Sequence, residues 1–303
     1  MVRYVVAGVD ASPESLAAAH WAAREALRRG APLRIVHVWQ WHPHPSTAVP
    51  LGTAQRDWAE RTLNGVVAGV RAAHPELEIV DHLVRSDSVV TALVAAADEA
   101  EVSVLGSQGL GAFAGFVVGS VSQRVVARST RPVVVVRAGA TAADDHLPVA
   151  DGISPDEIPD IPSRDVVLGL DTGHPCDELI EFAFQSARRY GATLHVLHVY
   201  GASGQLTDDA GPGPAPGPEL LARHEHAVVA TLRSWGAKFP DVSVVETVRE
   251  GRVAGELVRA CSGASLAVVG RRTRAGRPGG HIGPVTHAVL HHVRCPVAVV
   301  PHD

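Results

Sequence analysis

Cysteines are few in this sequence, and the marks of secretion or membrane insertion are missing. The 303 residues include three cysteines, Cys176, Cys261 and Cys295. An odd number without close spacing does not form a disulfide framework, so we expect reduced thiols in a cytoplasmic protein. The opening residues MVRYVVAGVD lack the apolar core of a signal peptide. No stretch reaches the ~20 apolar residues that a membrane-spanning helix needs.

An excess of positive charge is missing too. Lysine and arginine number 27 and aspartate and glutamate 32, which gives a formal charge of −5. Binding to a phosphate backbone needs clustered lysine and arginine in excess, so nucleic acid is not an expected partner. The sequence also lacks the GxSxG, HExxH and GxxxxGK[ST] motifs, which mark α/β hydrolases, zinc proteases and P-loop proteins.

What the chain does contain is an internal duplication. VVAGVDASP near the start returns as VVLGLDTGHP, which aligns Asp10 with Asp171 at an offset of 161 residues. GAPLRIVHVWQ returns as GATLHVLHVYG at the same offset, and further on Gly106 aligns with Gly270 at an offset of 164. The sequence therefore consists of two copies of a unit of ~140 residues, a usual size for one domain.

The duplication sets the predicted domain boundaries. We expect a first domain at residues 1–137, a linker at 138–163 and a second domain at 164–303. The linker is rich in alanine, aspartate and proline and has no apolar period. Residues 201–218, rich in glycine and proline, and the equivalent WHPHPSTAVPLGTA of the first copy are predicted to be surface loops.

Within each copy, short apolar runs alternate with segments of helical periodicity. Residues 5–9 are a β-branched run, and ESLAAAHWAAREALRRG follows with apolar residues at helical spacing. Ser12 is the predicted N-cap of this helix, with Pro13 in its first turn and Gly30 at its end. Strands separated by helices are typical of a parallel sheet buried on both faces. The predicted fold class is α/β: two tandem, open-sheet, doubly wound domains, each with five mainly parallel strands.

Five glycines occur in GSQGLGAFAGFVVGS, residues 106–120, directly after an apolar run. In a parallel sheet, ligands bind beyond the carboxyl ends of the strands. Glycine lets the backbone approach a ligand closely, and successive amide groups can then form an anion-binding concavity. The helix predicted after Gly119 adds free amides and the hydroxyls of Ser120 and Ser122. The segment therefore predicts a phosphate-binding site.

The spacing of Gly106, Gly109, Gly119 and Ser120 matches the pattern G-x2-G-x9-G-[S/T], and the chain resembles the universal stress protein family. The likeness extends to VVAGVDASPES at the start, to HVW, to SVSQRVVARSTRPVVVV and to the tandem layout. The resemblance implies the family's Rossmann-like domain, similar to the adenine nucleotide alpha hydrolases. It also implies ATP or a related adenine nucleotide as the ligand, with AMP, ADP and cyclic AMP left open.

The resemblance implies a set of binding residues in the first domain. They are Asp10, Ala11, Ser12, Val38, Gly106, Ser107, Gly109, Gly119, Ser120, Val121 and Ser122. The first four are implied for the adenine and ribose end, the next three for ribose and phosphates, and the last four for the β- and γ-phosphates. From the residues alone, Asp10 could hold a ribose hydroxyl or a Mg²⁺ ion, or it could act as a helix cap.

The second copy departs from this motif. Thr273 replaces the second glycine, and the Gly-Ser pair becomes Gly283-Pro284, which removes one amide donor. Several arginines in this segment add positive charge. The matched candidates are Asp171, Thr172, Val199, Gly270, Arg271, Gly283, Val285 and Thr286. We expect this site to bind more weakly than the first, or to bind a different nucleotide.

No metal ligand and no catalytic residue is predicted. His287 and His291 have the i, i+4 spacing that places two imidazoles on one helix face, but no third ligand accompanies them. No general base can be assigned to Ser120 or Ser122 as nucleophiles.

The expected function is therefore nucleotide-dependent regulation in a stress response, with at most slow ATP hydrolysis. A slow ATPase and a nucleotide-free interaction scaffold remain the alternatives. If the apolar runs VVVV and VAVV form sheet edges, they favour pairing between the two domains. The resemblance implies the same intrachain pseudo-dimer, a homodimer of chains, and a regulatory protein partner that the sequence does not identify.

Overall fold

The computed structural model describes residues 4–40, 51–107, 119–141, 164–174, 176–201, 218–273 and 280–303. Strands and helices alternate along this part of the chain. The strands are β1 Tyr4–Val9, β2 Leu33–Trp39, β3 Ile79–Arg85, β4 Ala100–Gly106, β5 Val133–Val136, β6 Val166–Gly169, β7 Leu194–Tyr200, β8 Val244–Glu250, β9 Leu266–Arg272 and β10 Val297–His302. The helices are α1 Pro13–Arg29, α2 Leu51–Ala73, α3 Val89–Asp98, α4 Ser120–Arg128, α5 Asp177–Tyr190, α6 Pro218–Lys238, α7 Val253–Ala260 and α8 Pro284–His292.

The described strands form one sheet in the order β3-β2-β1-β4-β5-β10-β9-β6-β7-β8. Neighbouring strands within each half are parallel, which confirms the predicted doubly wound α/β class. The two halves meet through β5 and β10, which pair antiparallel with Ala298 opposite Val134. The apolar runs that predicted an edge therefore pair with each other between the domains. The predicted linker lies mostly outside the described residues.

Helices cover both faces of the sheet. One core contains buried residues of α1, α2, α5 and α6, including Trp21 and Phe184, which are at most 2% exposed. The opposite core contains residues of α3, α4, α7 and α8, including Val125 and Val289. Each core runs across both domains, so burial of apolar side chains and the β5–β10 pairing together hold the halves in contact.

Helix α1 begins and ends at the residues predicted from the sequence. The Ser12 side chain accepts a hydrogen bond from the amide of Ser15 at 3.2 Å, and Gly30 ends the helix in a left-handed conformation with φ 60°. Helix α2 begins at Leu51, inside the segment predicted as a loop, so that part of the prediction is wrong. Ala54 and Gln55 are good helix formers, and they favour a helix that begins before its apolar residues. Among the described residues, no helix is long and apolar enough to span a membrane.

Candidate functional site

The carboxyl ends of β1, β2 and β4 lie side by side in the first domain. Strand β1 pairs with β2 on one side and with β4 on the other. The chain leaves β1 toward one neighbour and returns later to the other, so the gap between β1 and β4 is a switch point in strand order. Crevices of this kind are where open α/β sheets bind ligands.

A tight turn after β1 presents Asp10 at this edge. Asp10 Oδ1 accepts hydrogen bonds from the backbone amide and hydroxyl of Ser12 at 3.0 and 2.6 Å. The Asp10 amide in turn donates to Ser15 Oγ at 3.2 Å. Between them, Ala11 has a φ of 64°, which is unique among the non-glycine residues that the structure describes. A left-handed alanine is strained, and such strain is concentrated at functional sites.

The carboxyl of Asp10 is ionised at neutral pH. Partial burial acts to raise its pKa, but hydrogen bonds from Ser12 and Ser15 outweigh burial and hold the pKa below the ordinary value of 3.8. The side chain is exposed, so one oxygen is available to accept a ligand hydroxyl or to coordinate a cation.

Gly106 lets the start of α1 pack directly on β4. A Cβ at this position would lie 2.7 Å from the backbone carbon of Glu14 and 2.8 Å from the amide nitrogen of Ser15. Its neighbour Ser107 is buried and donates its amide to the carbonyl of Val136 at 2.8 Å. The first glycine of the motif therefore brings the Asp10 turn against β4, a role that packing alone requires.

The N-terminus of α4 opens at the same edge. Gly119 is the N-cap and has no side chain to cap the helix, and Ser120 is exposed. The amide of Gln123 donates to the carbonyl of Gly119 at 3.0 Å, so the amides of Ser120, Val121 and the next residue precede the first intrahelical bond. Free amides at a positive helix end are a favourable place for a phosphate.

Ser122 holds this helix to the sheet. Its hydroxyl donates to the carbonyl of Gly106 at 2.8 Å, and Thr286 makes the same bond to Gly270 at 2.8 Å in the second domain. The hydroxyl proton of Ser122 is therefore committed to the strand. Retention of a hydroxyl in both copies was the sequence signal for this positioning role.

The remaining first-domain candidates frame the site. Val38 is partly buried and packs with the core on the α3 and α4 face. The preceding residue, His37, is buried and its Nδ1 lies 2.8 Å from the carbonyl of Val9, which ties β2 to the end of β1. Gly109 lies outside the described residues, so its predicted phosphate contact stays a prediction.

The second domain contains a cavity of about 770 Å³ at the carboxyl ends of its strands. Sequence-predicted residues that line it are Asp171, Val199, Gly270, Arg271, Gly283, Val285 and Thr286. Thr172 does not line it. The volume is within the range of small-molecule sites, ~300–1,000 Å³.

Asp171 has more partners than Asp10. Its Oδ1 accepts the amide of Gly173 at 3.0 Å, and its Oδ2 lies 3.1 Å from Nδ1 of His174. Arg272 donates to Nε2 of His174 at 2.7 Å, so the neutral imidazole carries its proton on Nδ1 and donates it to Asp171. Burial acts to raise the pKa of Asp171. The hydrogen bonds from Gly173 and His174 and the charge of Arg272 outweigh burial and hold the pKa below its ordinary value of 3.8.

Arg271, predicted to supply charge to a nucleotide, is engaged between the domains. Its NH2 group donates to the carbonyl of Ser129, just after α4 of the first domain, and the residue is 7% exposed. Burial lowers the pKa of the Arg271 guanidinium. The sequence did not indicate this contact, nor that His302 lies over Gly270 and lines the cavity.

The histidine pair on α8 also lies at the domain boundary. The rings of His287 and His291 are 4.2 Å apart, and His291 Nε2 is 3.1 Å from Nε2 of Gln123 on α4. Burial and the neighbouring imidazoles lower the pKa of His287. The described part of the chain contains no group of three or more metal-ligating side chains.

Comparison with known proteins gives a consistent result. The model of the universal stress protein family matches residues 1–137 and 162–301. The chain is 35% identical to a universal stress protein of Mycobacterium tuberculosis, over 97% of this chain and 96% of that protein. It is 32% identical to a universal stress protein of Mycolicibacterium smegmatis, over 98% and 96%. A universal stress protein structure from Archaeoglobus fulgidus matches with a TM-score of 0.70 and 16% identity, over 100% of both chains, which concerns the fold alone.

Proposed function

This chain belongs to the universal stress protein family, and we propose that its first domain binds ATP or a related adenine nucleotide as a regulatory signal in the cytoplasm. The observation that carries the proposal is the meeting of three features at one switch point. These are the strained turn with an ionised Asp10, the close approach at Gly106, and the uncapped N-terminus of α4.

The chemistry of these features suits both the ribose and the phosphates of a nucleotide. An ionised, exposed carboxylate accepts hydrogen bonds from a ribose, as acidic residues do in dinucleotide-binding folds. The amides and exposed hydroxyl around Ser120 are donors that suit phosphate oxygens. The site offers the sugar an acceptor and the phosphates a set of donors.

A magnesium ion would fit beside Asp10. Mg²⁺ is commonly bound by one or two carboxylates together with phosphate oxygens and waters. Asp10 is exposed at this edge and ionised, so it is the residue that we propose to hold Mg²⁺ with the nucleotide.

The proposed role is regulatory, with hydrolysis no faster than a slow side reaction. Ser122 has its proton committed to the Gly106 carbonyl, and the lowered pKa of Asp10 makes its carboxylate a weak base. Neither arrangement provides a group that is set to remove a proton from an attacking water. Nucleotide occupancy would instead favour one conformation or assembly, which a protein partner then recognises.

Ser120 gives the sharpest test. Ser120→Asp places a carboxylate in the first turn of α4, where it favours the helix but repels a phosphate. Ser120→Asn has nearly the same shape and no charge. Isothermal titration of each full-length variant with ATP and with adenosine separates the phosphate contribution from the rest.

We expect Ser120→Asp to weaken ATP binding by about tenfold or more while adenosine binding changes little, because like charges ~4 Å apart near a protein surface repel by up to ~4 kcal/mol. Ser120→Asn should stay close to the wild type. Equal ATP affinity in the aspartate variant and the wild type would overturn the proposal.

A further inference from the structure

The cavity of the second domain has a wall that belongs to the first domain. Ala127, Arg128, Ser129 and Thr130 line it, and they are the end of α4 and the residues that follow. The opposite side consists of the ends of β6, β7 and β9 and the start of α8. A molecule in this cavity would therefore touch both domains.

Close packing fixes this wall in place. A Cβ added at Gly280 would overlap the carbonyl oxygen of Ala127, so the second-domain segment before α8 lies directly on the end of α4. Arg271 binds the carbonyl of Ser129 in the same region. The antiparallel pairing of β5 and β10 holds the two domains together beside it.

The described lining of the cavity contains more basic than acidic residues. Three arginines line it, Arg128, Arg271 and Arg272, whereas Asp171 is the one acidic residue among its described lining residues. That carboxylate is already in contact with His174. Among the described lining residues, positive groups therefore outnumber negative ones, which favours an anionic occupant.

Arg271 is a buried arginine whose guanidinium is only partly hydrogen-bonded within the described residues. It is 7% exposed, and its Nε has no hydrogen-bond partner in the described part of the chain. A buried guanidinium that is only partly satisfied is costly, and an anion in the cavity would reduce that cost. Arg128 is exposed at the cavity rim, and no partner for its guanidinium is found among the described residues.

The start of α8 supplies further donors. Gly283 is the N-cap and makes no side-chain cap bond, and Pro284 occupies the first helical position. The amides of Val285 and Thr286 precede the first intrahelical bond, which His287 makes to the carbonyl of Gly283 at 2.9 Å. The proline removes one donor and leaves these two.

We infer that this cavity is a shared site for a phosphorylated small molecule, in which Arg128 of the first domain contacts the phosphate from across the domain boundary. The inference deepens the proposed function, because it defines the wall and the ligand charge of the second site. Ligand binding here would bridge the two domains and stabilise their contact, as any ligand specific for the joined state does.

The test uses the full-length protein in a Ser120→Asp background, which weakens phosphate binding at the first-domain site. Arg128→Ala is compared with Arg124→Ala, since Arg124 is an exposed arginine on the same helix that does not line the cavity. Each protein is titrated with ATP, inorganic pyrophosphate and adenosine at low salt. Thermal unfolding of each variant confirms that the fold is unchanged.

We expect Arg128→Ala to weaken binding of ATP and pyrophosphate by about tenfold, the usual effect of losing a charge-assisted hydrogen bond. Arg124→Ala should leave both unchanged, and adenosine should bind the two variants equally. Equal ATP and pyrophosphate affinities in the two alanine variants, or no phosphate binding in the Ser120→Asp background, would overturn the shared site. Neither result bears on the first-domain site, which the comparison of Ser120→Asp with the wild type judges separately.

Discussion

Gly106→Ala separates a structural role of the glycine motif from a role in ligand contact. The added Cβ would lie 2.7 and 2.8 Å from backbone atoms of Glu14 and 2.8 Å from the amide of Ser15. These neighbours are backbone at the start of a helix, so they cannot turn aside as a flexible side chain would. Overpacking of this kind typically costs ~1–3 kcal/mol, whether or not a nucleotide is bound.

Urea unfolding of the nucleotide-free protein measures this cost. With a typical slope of ~2 kcal/mol/M, the expected loss lowers the unfolding midpoint by about 0.5–1.5 M. Gly65→Ala is the matched control, because Gly65 lies inside α2 with nothing within 4 Å of an added Cβ. That change should stabilise the protein by ~0.5–1 kcal/mol, since alanine favours a helix interior. A Gly106→Ala protein as stable as the wild type would refute the close approach of α1 to β4.

Three further predictions concern single side chains. Ser122→Ala should destabilise the nucleotide-free protein by ~0.5–1.5 kcal/mol, because it loses the hydrogen bond to the Gly106 carbonyl. Ser122→Thr keeps the hydroxyl and should not destabilise it. Equal urea midpoints for the two variants would contradict the positioning role of this hydroxyl. Because the pKa of Asp10 is lowered in the folded protein, its ionised carboxylate stabilises the fold above pH 3.8. This stabilisation is lost as the pH falls through the pKa of the folded state. The stability difference between the wild type and Asp10→Asn should therefore shrink in acid, and a pH-independent difference in thermal unfolding would argue against it. Burial raises the pKa of Cys176 to about 11, which leaves little reactive thiolate at pH 8. Iodoacetamide should therefore alkylate Cys176 far more slowly in the native than in the urea-unfolded protein. Equal alkylation rates would refute the burial of this thiol.

Much of the architecture could be predicted because its causes are local or periodic. The β-branched runs and helical spacings define the strands and helices, and the duplication defines the tandem layout. Ser12 caps α1 as predicted, because a cap depends on residues three positions apart. The predicted loop WHPHPSTAVPLGTA overlaps the start of α2, because Gly52 and Thr53 are poor helix formers and indicated a loop, whereas the structure has both of them inside the helix.

The pairing of the two apolar runs between the domains was expected from the sequence, but the side-chain contacts across that boundary could not be predicted. Arg271 and Ser129 are 142 residues apart, and they meet only because β5 and β10 pair antiparallel and bring α4 beside β9. An arginine next to a glycine motif indicated a ligand contact, and nothing in its sequence neighbourhood distinguishes that role from a bond to a distant carbonyl. The wall that Arg128 gives to the second cavity depends on the same pairing.

The central claim is that the amides at the start of α4 hold the phosphates of a nucleotide. Amide NMR of the ¹⁵N-labelled protein, titrated in parallel with ATP and with adenosine, tests it most directly. We predict that the amide signals of Ser120, Val121 and Ser122 shift with ATP and stay in place with adenosine. Saturating ATP that leaves these three signals unmoved, while signals elsewhere in the protein shift, would contradict the account.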